Sequence, residues 1–253
     1  MSDDSLKRKE GFDTLSYQFS IDGHCDICDE AVVFNSKHDW FRDHLLCSNC
    51  GSIPRERALM RVIKQVYPNF KELSVHESSP GTRGASEILK RDCADYSSSQ
   101  YFPDLASGEM YEKYNQQCQN LEAMSLADQT FDLFVTQDVM EHLYNPAAAF
   151  REIARVLKPG GAHIFTVPIV NKWKATELRA ILGEDGEIIH LMEPQYHGNP
   201  VTDEGILMTY NWGYDIAAFI DKAAGTNTVI MQIDDIEHGI RADLIEVLVS
   251  KKQ

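Results

Sequence analysis

The chain has 253 residues, of which 43% are hydrophobic and 25% charged, and its formal net charge is −15. That length suits one large domain or a domain with a small module, and so acidic a surface repels phosphate backbones, which counts against a nucleic-acid substrate. Charge breaks every apolar run before the roughly 18 residues a bilayer span requires, and MSDDSLKRKEGF has no apolar secretory stretch. The expectation is a cytoplasmic protein without membrane association.

Residues 1–20 are polar and read as a flexible tail. Two cysteine pairs follow, Cys25-x2-Cys28 and Cys47-x2-Cys50, with 18 residues between them. Each pair forms a tight knuckle that aims two thiolates at one ion, and two knuckles complete a tetrahedron. In a chain without a secretion signal this spacing favours zinc over redox pairs or a disulfide framework. Four sulfurs fill the coordination sphere, so the zinc is structural; iron in the same geometry stays open. Ser52-Ile53-Pro54 opens a linking helix, with Ser52 as its cap and Leu59, Val62, Ile63 and Val66 on one face. The ribbon and this helix occupy residues 21–70, and Tyr67-Pro68-Asn69-Phe70 marks the boundary.

From residue 71 to 253 strand and helix patterns alternate, the signature of an α/β fold with a doubly wound parallel sheet. The expected strands are Leu73–Glu77, Asp95–Tyr101, a weak one around Cys118–Leu121, Thr130–Thr136 and Ala162–Pro168. Helices are expected over Ala85–Lys90, after Asn145-Pro146, and over Tyr214–Ala224. Asn227–Ile233 and Leu244–Ser250 then close the chain as a hairpin, which makes seven strands with the last antiparallel.

This portion, most of all FDLFVTQDVMEHLYNPAAAFREIARVLKPGGAHIFTVP at 131–168, resembles the class I S-adenosylmethionine-dependent methyltransferases. The resemblance implies a Rossmann-like seven-stranded methyltransferase sheet behind the zinc ribbon, and S-adenosylmethionine as cofactor. It implies that VHESSPGTRG, residues 75–84, is the loop that grips the cofactor, with Glu77 as its acid and Ser79 and Gly81 in the first two glycine positions. Arg83 stands where a third glycine is usual, and Gly84 comes one residue late. The resemblance also implies that Gln100 faces the ribose with Tyr101 beside it, that Asn120 and Leu121 meet the adenine, and that Gln137 lies at the cofactor. Asp95 and Asp104 compete with Gln100 if the register differs.

Methyl transfer to oxygen requires an aligned nucleophile and a group to take its proton. Gln137, Asp138, Glu141 and His142 follow the fourth main strand, at the sheet edge where such folds bind ligands. Residues 169–212 form a polar and aromatic insert suited to a lid or substrate wall, and His197 within it is the candidate general base, with His142 the second. The whole architecture also resembles bacterial enzymes acting on small molecules or surface sugars. The expected activity is therefore O-methylation of a small molecule or glycan. A zinc-ribbon ribosomal RNA methyltransferase and a non-catalytic methyltransferase-like scaffold are the rival readings.

Overall fold

The computed structural model describes residues 18–198 and 205–253. Residues 1–17 of the expected tail lie outside the described residues, as do Asn199 and Pro200 beside His197. Strand β1 (Phe19–Cys25) begins inside the last two residues assigned to the tail and pairs with β2 (Glu30–Ser36) as an antiparallel hairpin. A short helix α1 (Phe41–His44) leads to β3 (Leu46–Cys47) on the outer side of β2. The linking helix is α2 (Pro54–Val66).

Ile53, not Ser52, caps α2. The Ser52 hydroxyl lies 3.2 Å from Cys50 Sγ and receives a bond of 3.1 Å from Arg57. Capping falls instead to Glu56, whose carboxylate reaches back to accept the Ile53 N–H at 3.1 Å, while Pro54 supplies a first-turn residue that needs no acceptor.

The main sheet has eight strands rather than seven. In space they run β6 (Met110–Tyr111), β7 (Gln116–Cys118), β5 (Asp95–Gln100), β4 (Ser74–Ser78), β8 (Phe131–Gln137), β9 (Leu157–Thr166), β17 (Val247–Lys251) and β16 (Asn227–Met231). β7, β5, β4, β8 and β9 are mutually parallel; β17 is antiparallel to both β9 and β16. β17 thus inserts between β9 and β16, the seven-strand pattern with an antiparallel last strand, and β6 adds an antiparallel edge. Where an alternating pattern calls for a helix between β5 and β7, Pro103, Gly108 and a run of polar residues break the periodicity. An aromatic tip forms instead, with Phe102 and Tyr111 at 4.5 Å and Tyr111 and Tyr114 at 5.3 Å.

Period-two alternation divides the strand residues between two cores. Leu133, Val135, Ile164, Val247 and Val249 face one side, where Leu59, Met60 and Ile63 of α2 and Leu89 of α3 (Ala85–Asp92) cover them. Phe134, Phe165 and Leu248 face the other, beneath Phe150 and Ile153 of α4 (Pro146–Val156) and Ile216 and Ile220 of α5 (Ile216–Ala224). The first cluster also takes in Cys25, Phe34 and Leu45 of the ribbon, so residues on both sides of the boundary expected at residue 70 share one apolar core. α4 begins as its sequence suggests, with Asn145 Oδ1 accepting the Ala148 N–H at 3.1 Å.

The insert is built of three two-stranded ribbons: β10 (Glu177–Leu178) with β15 (Tyr210–Asn211), β11 (Ala180–Leu182) with β12 (Ile188–His190), and β13 (Tyr196–His197) with β14 (Ile206–Leu207). Among the described residues no helix is long and apolar enough to cross a membrane.

Candidate active site and metal centre

The four thiolates of the ribbon converge. Cys25 Sγ lies 3.7 Å from Cys50 Sγ, and Cys28 Sγ lies 3.8 Å from Cys47 Sγ. A disulfide would need about 2.05 Å, whereas four sulfurs each about 2.3 Å from a tetrahedral zinc stand about 3.8 Å apart. All four side chains offer ligand atoms within 4.8 Å of one another, so the donor set fits zinc. Four thiolates on a divalent ion carry excess negative charge, and Arg57 lies beside them. It is fully buried, donates to the carbonyls of Ser52, Leu45 and Gly239, and stacks 4.6 Å over the Phe34 ring. Burial alone pushes the guanidinium below its ordinary value, and the charges of Cys25, Cys47 and Cys50 oppose that shift.

The loop expected to grip the cofactor leaves the carboxyl end of β4. Ser79 has φ +57°, a conformation that glycine adopts most readily, so the residue in the first glycine position does hold a glycine-type backbone. Its N–H bonds the Ser99 carbonyl of β5 at 2.8 Å. Glu77 is fully buried below the loop and accepts from Ser86 (2.6 Å), Gln137 (3.0 Å) and Tyr96 (2.9 Å). Burial raises its pKa, and these three donors oppose the shift. Ser86 Oγ in turn accepts the Gly81 N–H at 2.9 Å. Glu77 therefore shapes the loop from behind, and Gln137, expected at the cofactor, is a brace for Glu77.

Arg83 turns away from the loop's concave side. Its Nε bonds Glu56 of α2 at 3.1 Å, and half of its side chain remains exposed. Gly84, with φ +63° and ψ −132°, lies against the same Glu56.

Gln100 ends β5 half-buried, with no hydrogen bond to its side chain among the described residues, and Tyr101 beside it is 50% exposed. Both are free to meet a ligand. Asp95 sits at the opposite end of β5, bonded by Ser74 at 2.6 Å, and Asp104 is exposed beyond the strand, so neither replaces Gln100. Asn120 Oδ1 already accepts the Glu122 N–H at 2.9 Å, which leaves the amide NH2 as its unengaged group. Leu121 is buried. Tyr144, which the sequence did not single out, joins this rim: burial raises its hydroxyl's pKa, and the nearby Tyr196, Tyr101 and Glu122 add to the shift.

Beyond β8, Asp138 faces the ribbon instead of the cofactor edge. It pairs with Arg42 at 2.6 Å and Arg55 at 2.9 Å and accepts Thr166 Oγ1 at 3.0 Å. Burial pushes its pKa up, but the two guanidinium charges outweigh burial and hold it below the usual carboxylate range. Glu141 and His142 follow. His197, delivered by β13, meets His142 edge-to-face with ring centroids 5.5 Å apart, so the structure brings both candidate bases to one place.

Residues 79–165 match the family described as "Methyltransferase domain". A ubiquinone biosynthesis O-methyltransferase of Parvibaculum lavamentivorans is 31% identical over 68 residues, which are 27% of this chain and 26% of the relative, so the match spans about a quarter of that protein. Among solved structures, an S-adenosylmethionine-dependent methyltransferase from Mesorhizobium loti superposes with a TM-score of 0.51 at 14% identity, covering 78% of this chain and 98% of the other. Streptomyces venezuelae DesVI superposes with a TM-score of 0.51 at 11% identity, over 79% of this chain and 92% of the other. At such identities the likeness is one of fold.

Proposed function

We propose that this chain, which carries a class I S-adenosylmethionine-dependent methyltransferase domain, transfers a methyl group to an oxygen of a small molecule or glycan. The carrying observation is that two loops leave the same carboxyl edge of adjacent parallel strands. One is the 77–84 loop after β4; the other bears Glu141 and His142 after β8, with His197 folded over it.

The residues present fit the cofactor. The left-handed Ser79 and the tethered Gly81 let the backbone approach closely, Gln100 and Tyr101 suit the ribose, and Asn120 and Leu121 suit the adenine. Bound S-adenosylmethionine supplies an electrophilic methyl group on a sulfonium. With the cofactor held there, the loop edge would align an acceptor hydroxyl with the methyl group, and the Glu141–His142–His197 cluster would be where that hydroxyl's proton is given up.

Oxygen as the acceptor is supported by the curated relative, named for O-methylation in ubiquinone biosynthesis. The net charge of −15 favours a small molecule or sugar over RNA. Calorimetry with S-adenosylmethionine, followed by label transfer to panels of hydroxylated small molecules, glycans and ribosomal RNA, tests the reading. Cofactor binding with transfer confined to the first two panels is expected. No binding at millimolar cofactor would leave the scaffold reading, and transfer to RNA alone would replace the substrate class.

A further inference from the structure

Glu141 is fully buried, and neither of its carboxylate oxygens has a hydrogen-bond partner among the described residues. The Arg42 guanidinium acts on this carboxylate through space but donates no bond to it, and two orphaned oxygens on a buried carboxylate point to a further cationic group in direct contact. The candidates nearest to hand are two imidazoles. His142 Nε2 lies 3.7 Å from Glu141 Oε1 and His197 Nδ1 lies 3.8 Å from the same oxygen, both too long for a hydrogen bond.

The tautomer of His142 sharpens the point. Its Nδ1 is 2.8 Å from the Leu207 carbonyl, which can only accept, so Nδ1 carries the proton. In the neutral ring Nε2 is then a bare lone pair, and it faces a carboxylate lone pair. Two acceptors aimed at one another across 3.7 Å leave room for a positive charge between them.

We propose that Glu141, His142 and His197 hold a divalent first-row metal cation through a carboxylate oxygen, His142 Nε2 and His197 Nδ1. The three donor atoms lie within 4.8 Å of one another, and an ion equidistant from atoms so spaced sits about 2–2.5 Å from each, the range of imidazole and carboxylate bonds to such metals. A ligating histidine normally donates its other ring N–H to a carbonyl or carboxylate, which fixes the ring, and the Leu207 carbonyl does this for His142. One ribbon supplies both parts: β13 carries His197 and its partner β14 carries Leu207. Two nitrogens and one oxygen select manganese, iron, cobalt or zinc over the harder magnesium and calcium. They differ from the four thiolates of the ribbon, so the chain has two metal sites of opposite softness.

Three protein ligands leave coordination positions open, and the His197 side chain is 42% exposed, so the site is reached from the insert side. A cation there acidifies a coordinated hydroxyl, which releases its proton to water; His197 is then a ligand and not the base. That role rests on the methyltransferase reading, but the binding of the ion does not.

The test titrates the zinc-loaded full chain with MnCl2 and follows free manganese by electron paramagnetic resonance, since soft thiolates do not compete for manganese. About one manganese per chain is expected to bind the parent protein, with affinity at least tenfold weaker in Glu141→Gln and in His197→Ala. Zinc content and the melting transition report whether each variant folds; His197, half-exposed, keeps the test open should Glu141→Gln unfold. Failure of the parent protein to bind manganese at millimolar concentration, or equal binding by His197→Ala, overturns the proposal. Manganese binding without methyl transfer would sustain the metal site and sink the activity, so the two fail separately.

Discussion

Replacing Gly84 by alanine should unsettle the seam between the ribbon's helix and the cofactor loop. At φ +63° and ψ −132° the residue occupies backbone space that side chains rarely adopt, which costs about 1–3 kcal/mol. A Cβ there would stand 2.4 Å from Glu56 Oε2 and 2.9 Å from Glu56 Cβ. Glu56 cannot swing aside cheaply, because it is 6% exposed and holds both the Ile53 N–H and Arg83 Nε. Overpacking of this kind costs a further 1–3 kcal/mol or so. The sum, about 2–6 kcal/mol, lowers the melting temperature of a chain this size by roughly 4–24 °C. Glu56→Ala alone loses its capping bond, about 0.5–2 kcal/mol, and a half-exposed ion pair worth little. In the double variant the collision disappears while the backbone strain stays, so the melting point should exceed that expected from adding the two single effects. Strict additivity, or a Gly84→Ala melting point within 2 °C or so of the parent, would refute this account. Gly81→Ala is the contrast: the nearest atom to its added Cβ is Ser86 Oγ at 3.4 Å, so its stability cost is below about 1 kcal/mol.

Asp138→Asn takes from the buried Arg42 its shortest ion pair, leaving Asp43 and the Leu244 carbonyl, and should cost about 3 kcal/mol in urea unfolding with metal content unchanged; a loss below about 1 kcal/mol would refute the pairing. His163→Phe tests pH dependence. Burial pushes the His163 imidazole down to about 3 and that of His76 to about 4, so both are neutral when folded and protonate on unfolding near 6.5. The stability they contribute is complete above about pH 6.5 and is lost as pH falls toward those folded values. Phenylalanine, which keeps the stack on Phe165, should flatten the decline between pH 6.5 and 4.5 by up to about 1.4 kcal/mol per pH unit in urea titrations, and an unchanged slope would count against the assignment.

The main strands were legible because parallel, doubly buried strands such as FDLFVTQ read as continuous apolar runs, and the two cysteine knuckles because metal geometry fixes their spacing. Some strand ends shifted: β9 runs Leu157–Thr166, starting well before the Ala162 expected from the sequence. The eighth strand could not be read, since two residues against an edge carry no periodicity. In the site, the alternation placed Glu77 at the end of β4 and Gln100 at the end of β5, with Ser79 and Gly81 in the turn and Tyr101 just past β5. That Asp138 is held by Arg42 and Arg55, and Gln137 by Glu77, was not legible, because these partners lie between 60 and 96 residues away in sequence. The convergence of His142 and His197 was likewise out of reach, since it depends on where the 196–207 ribbon folds back.

The departures in VHESSPGTRG follow from what is packed on the loop. The linking helix α2 covers one face of the sheet, and its first turn abuts the end of the loop. Arginine at position 83 answers Glu56 of that turn, and glycine arrives at 84 because that is where backbone meets the Glu56 side chain. The same module reaches the second loop through Arg42 and Arg55, which fasten Asp138 three residues before Glu141. Both loops at the carboxyl edge are therefore braced from the ribbon side. A metal held by the four cysteines would have no open position for chemistry, yet the ribbon and helix it would stabilise carry the arginines and the carboxylate that brace these two loops.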